Sequence, residues 1–97
     1  MRAKAELLFY QRIDYDDRGI VEMVIWRVPS PVAPATHDVK YSLFDGAPGL
    51  REVCYDNERG KGDHRHFQGT EMEYEFTTVE KLMEDFWGDI HRFRGDE

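Results

Sequence analysis

Between Tyr55 and Phe67 the chain reads Tyr-Asp-Asn-Glu-Arg-Gly-Lys-Gly-Asp-His-Arg-His-Phe, and most of these side chains can hold a charge or move a proton. Asp56, Glu58 and Asp63 are carboxylates, Arg59, Lys61 and Arg65 are cations, and His64 and His66 are of the residue type that can accept and donate a proton near neutral pH. Cleaving RNA by attack of its own 2′-hydroxyl needs a general base, a general acid and positive charge on the phosphate. His64 and His66 supply the first two, Lys61 and Arg65 the third, with Asp56 or Glu58 to orient a ring. Arg59 is a further phosphate contact. Gly60 and Gly62 let backbone N–H groups come close to a phosphate. The spacing is not that of a P-loop.

The same residues admit other chemistry. In an extended segment the imidazoles of His64 and His66 point to one side, and Asp56 adds an oxygen, a set that can ligate a divalent metal ion. The cations at 59, 61 and 65 crowd the place where that ion would sit, so metal-free chemistry without a cofactor is favoured over metal-dependent chemistry. In a third alternative the segment is a non-catalytic docking loop, its carboxylates and cations paired with each other and its glycines serving turns.

Elsewhere the residues build a scaffold. Ala5, Leu7, Phe9 and Ile13 alternate with polar residues as in a half-buried strand, and Asp16-Asp17-Arg18-Gly19 gives turn chemistry. Ile20 to Val28 is β-branched and aromatic on both faces, which predicts a central strand. Pro29, Pro31 and Pro34 end it. Val39, Tyr41 and Leu43 mark a third strand, a turn is expected over 45–49, and Leu50 to Asn57 makes a fourth strand leading into a charged loop over 56–70. Glu71 to Phe76 alternates as a short fifth strand. Val79, Leu82, Met83, Phe86, Ile90 and Phe93 recur at helical spacing, with Thr77 and Glu80 as a capping box, Arg94 in the last turn and Gly95 as a stop. The expected fold is α+β: four or five mostly antiparallel strands, then one amphipathic C-terminal helix on the sheet.

At 97 residues the chain is expected to be a single domain, 1–97, with a homodimer or an obligate partner compatible with so small a core. The net charge of −7 argues against a general nucleic-acid binder. Residues 55–67 hold three acids and three bases, so that excess lies outside them. One cysteine, no signal-peptide pattern and no long apolar run fit a cytoplasmic protein that stays off the membrane. Cys54 is expected to pack, and His37 to be solvated.

The run from Tyr55 to His66, followed by Tyr74-Glu75-Phe76 and the acidic helix Val79-Glu80-Lys81-Leu82-Met83-Glu84-Asp85-Phe86, resembles the TumE-type toxin family of prokaryotic toxin–antitoxin pairs. Lys4-Ala5-Glu6-Leu7, the strand from Glu22 to Pro29 and Lys40-Tyr41-Ser42-Leu43 add to the likeness, which covers nearly the whole chain. The resemblance implies a toxin encoded beside a small helix-turn-helix antitoxin, and marks positions 56 to 66 as its candidate site. An acidic chain can still meet RNA through its cationic segment and a basic partner through the rest of its surface.

Overall fold

The computed structural model describes residues 4–15, 19–47 and 50–94, without the side chains of Leu50, Arg51 and Arg94. Six strands run in chain order: β1 (Glu6–Asp14), β2 (Ile20–Arg27), β3 (Val39–Ala47), β4 (Leu50–Glu58), β5 (Gly62–Phe67) and β6 (Thr70–Glu73). Each pairs antiparallel with the next in one meander. The helix α1 (Val79–Arg94) follows and packs on one face. The α+β expectation holds, with six strands in place of four or five.

Alternation decides which face is core. Val21, Met23 and Ile25 of β2, Val39, Tyr41 and Leu43 of β3, and Val53 and Tyr55 of β4 point one way and are buried. Leu82, Phe86 and Ile90 of α1 close over them. Tyr55 meets Phe86 edge-on at 5.9 Å between ring centres. The expected helical stripe is thus the observed one. Its N-cap is Thr78, one residue later than expected, whose Oγ1 accepts from the Lys81 N–H at 3.1 Å.

The largest difference lies in the charged segment, which is a hairpin and not a loop. β4 continues through Asp56 to Glu58, and the chain reverses over Arg59-Gly60-Lys61, where the Lys61 N–H bonds the Glu58 carbonyl at 3.0 Å. β5 then returns with Asp56 opposite His64 and Cys54 opposite His66. A second reversal at Gln68 (φ 48) and Gly69 (φ 86) has the positive angles of a two-residue hairpin turn and sends β6 back along β5. Charged residues are poor strand formers in isolation, but here pairing of β5 with β4 on one side and β6 on the other outweighs propensity. β6 stops at Glu73, short of the expected Phe76, and β3 runs through Asp45 and Gly46 where a turn was expected. Asp16 to Arg18, Pro48, Gly49 and Gly95, also expected in turns or as a helix stop, lie outside the described residues.

Two details fix the hairpin to the rest of the sheet. The side chain of buried Asn57 takes the Tyr41 N–H at 3.0 Å and donates to the Val39 carbonyl at 2.8 Å, standing in for a strand neighbour. Asn57→Ala leaves both backbone groups unpaired, and should cost about 2 kcal/mol of unfolding free energy in urea titration. At the turn, the Gly60 N–H donates to the Ala33 carbonyl at 2.8 Å. Gly62 (φ +78) sits so close to the proline-rich connection that a Cβ there would lie 3.2 Å from Pro34 Cγ. Gly62→Ala combines this crowding with a positive φ, and should lower stability by about 1 to 2 kcal/mol in the same assay.

Candidate functional site

The strand period divides the charged segment between two faces. Asp56, Glu58, His64 and His66 share the face opposite the helix, and β6 adds Glu71 and Glu73 beside them. Asn57, Asp63 and Arg65 point to the helix side.

On the outer face the contacts converge on His64, which is only 9% exposed. Its Nε2 lies 2.6 Å from Asp56 Oδ1, 3.4 Å from Glu71 Oε2 and 3.9 Å from Glu58 Oε1. Its Nδ1 is 3.2 Å from the Gly62 carbonyl oxygen. The ring is therefore held on both sides, and a ring with a proton on each nitrogen donates to both. Lys61 Nζ sits 2.8 Å from Glu71 Oε2. That hydrogen bond raises the lysine pKa and holds the Glu71 carboxyl below its ordinary range. Lys61, His64, Glu71, Met72 and Glu73 line an open cleft.

His66 stands next along the same face, about 7 Å from His64 by strand rise. Cys54, opposite it in the ladder, is buried as expected.

The expected residues thus fall into distinct settings. Asp56, Glu58, Lys61 and His64 are together, and His66 is one step away. Arg59 is exposed at the hairpin tip. Arg65 is on the other face, where Nε and Nη2 grip Asp89 at 2.7 and 3.0 Å. Asp89 also accepts from the Tyr55 hydroxyl at 2.6 Å and from Arg92 at 2.7 Å. Burial opposes the charge on Asp89, yet these donors hold its carboxyl below its ordinary value. Arg65 is therefore spent on pinning helix to sheet, and the Gly60 N–H on Ala33, so neither is turned to a phosphate in this arrangement. Asp56, Glu58 and His64 each bring a ligand atom within 4.8 Å of the others, a group of metal-ligating type that contains two of the three residues, Asp56 and His64, drawn from sequence with His66.

Glu71 at the site, and the His37–Asp63 pair on the far face of the sheet, escaped the sequence. Glu71 belongs to a row of glutamates that looks like a solvated face, and only the Gln68-Gly69 turn, which folds β6 onto β5, brings it to Lys61 and His64. His37, expected in solvent, instead puts Nε2 2.8 Å from Asp63 Oδ2, takes the Val39 N–H on Nδ1 and stacks on Phe76 at 4.1 Å. The signal for it was remote, because 26 residues separate His37 from Asp63.

Fold and site together define a small meander-and-helix protein whose outer hairpin face carries a carboxylate-held histidine beside a lysine. A family model for the toxin TumE matches residues 3–94, and the chain belongs to the TumE toxin family. Membership places it on the toxin side of a toxin–antitoxin system, and implies a cognate antitoxin. Comparison with curated proteins and with solved structures finds no match. Among the described residues no helix is long and apolar enough to cross a membrane.

Proposed function

We propose that this toxin cuts RNA on the outer face of the β4–β5–β6 hairpins. The observation that carries the proposal is the 2.6 Å pairing of Asp56 with His64, set beside Lys61 and one strand step from His66. His66 and His64, the latter once its Nδ1 leaves the Gly62 carbonyl 3.2 Å away, exchange protons with the 2′-hydroxyl and the leaving 5′-oxygen. Asp56 fixes the His64 ring, and Lys61 meets the charge that develops on the phosphate. The cognate antitoxin, a small helix-turn-helix protein in this proposal, covers the hairpin.

Incubating the purified chain with a cellular RNA pool tests this. Attack by the 2′-hydroxyl leaves 2′,3′-cyclic phosphate ends, which end-specific ligation detects. Intact RNA after incubation with well-folded protein would overturn the proposal, and would leave the hairpin as a docking surface for its partner.

A further inference from the structure

Three carboxylates, Asp56, Glu58 and Glu71, face one imidazole nitrogen at 2.6, 3.9 and 3.4 Å. Against them stands one lysine, so the cluster keeps two net negative charges when His64 is neutral. An RNA phosphate would be repelled by such a site unless further positive charge arrived with it. The cluster differs from an ordinary acidic patch in two ways. The nitrogen aimed into it belongs to a side chain about nine-tenths buried. It has also already drawn in a cation, since Lys61 Nζ lies 2.8 Å from the same Glu71 oxygen that approaches His64.

We infer that Asp56, Glu58, His64 and Glu71 form a binding site for one divalent cation of the manganese class. Oxygen donors suit manganese and magnesium, while the imidazole nitrogen favours a transition ion over magnesium. The Asp56, Glu58 and His64 ligand atoms, within 4.8 Å of one another, can surround one ion with small side-chain shifts. Entry of the ion displaces Lys61 from Glu71 and releases the ammonium toward the cleft that it lines. The inference rests on the proposed use of this face and sharpens it: the ion supplies the charge that lets a phosphate approach, and because it takes Nε2 of His64, proton transfer in the ion-bound state falls to His66.

Manganese binding to the full-length chain, followed by calorimetry and by the electron spin resonance of free Mn²⁺, tests the site without any RNA. One ion per chain is expected. Glu58→Gln removes a ligand whose side chain is 56% exposed, so the fold is kept while affinity falls at least tenfold. Lys61→Met removes the competing cation, and should tighten binding several-fold. No stoichiometric binding by the wild type, unchanged affinity in Glu58→Gln, or failure of Lys61→Met to tighten it would each overturn the assignment. Binding without RNA cleavage would uphold the cation site and sink the nuclease proposal. Cleavage by a chain that binds no manganese would do the reverse.

Discussion

A His64→Ala chain should lose growth arrest on expression, and should cut RNA about a hundredfold or more slowly than wild type. The size follows from what a positioned acid or base contributes, about 10² to 10⁴ in rate. The placement follows from geometry: His64 is the one ring gripped by Asp56 on one nitrogen and by the Gly62 carbonyl on the other. The graded variants separate roles. Asp56→Asn keeps the ring but loosens its hold, so its defect should be smaller than that of His64→Ala. His66→Ala removes the second proton carrier of the proposal and should approach the His64 effect. Arg65→Ala should act differently, lowering stability first, because its guanidinium is bound to Asp89 on the far face. Undiminished cleavage by a folded His64→Ala chain would remove the proton chemistry from this residue.

The contrast between His64 and Arg65 also shows how far sequence carries. Adjacent residues in Asp-His-Arg-His share the same composition signal, and only the strand period assigns them to opposite faces. Apolar alternation in β2 and β3 and the helical stripe of α1 announce themselves, because burial selects residue type directly. The hairpin does not, because its strands are charged and their order comes from neighbours on either side. With β5 paired to β4, Asp56 lies across from His64, and with Gln68-Gly69 as a two-residue turn, Glu71 lies across from His66 and reaches His64 on the diagonal at 3.4 Å. Long-range partners such as His37 with Asp63, or Arg65 with Asp89, depend on packing that no local pattern encodes. The residue types of the site were therefore legible, and its grouping was not.

The pin behind the site should be the most sensitive point of the scaffold. Asp89 is 1% exposed and takes four hydrogen bonds from three side chains, Tyr55, Arg65 and Arg92. Asp89→Ala strands the Arg65 guanidinium between α1 and β5 and leaves the Tyr55 hydroxyl of β4 only the Asp85 carbonyl at 3.2 Å, and should cost about 3 kcal/mol in urea unfolding at neutral pH. The lower part of the range for buried pairs applies because the Arg65 side chain is 25% exposed. A loss below about 1 kcal/mol would mean that apolar packing alone holds the helix in place. The pH dependence gives an independent check on sign. Asp89 has a folded pKa below its unfolded value of about 3.9. Its contribution is therefore complete above that value and lost as pH falls through the folded pKa. The stability gap between wild type and Asp89→Ala should be flat from neutrality to about pH 5 and shrink below about pH 4. Because Arg65 and His64 are neighbours on β5 facing opposite ways, the variant also tests whether the pin serves the chemistry. A folded Asp89→Ala chain at low temperature should keep the pH profile set by the histidines while melting earlier. A changed profile would show that the tether behind β5 sets the position of the ring in front of it.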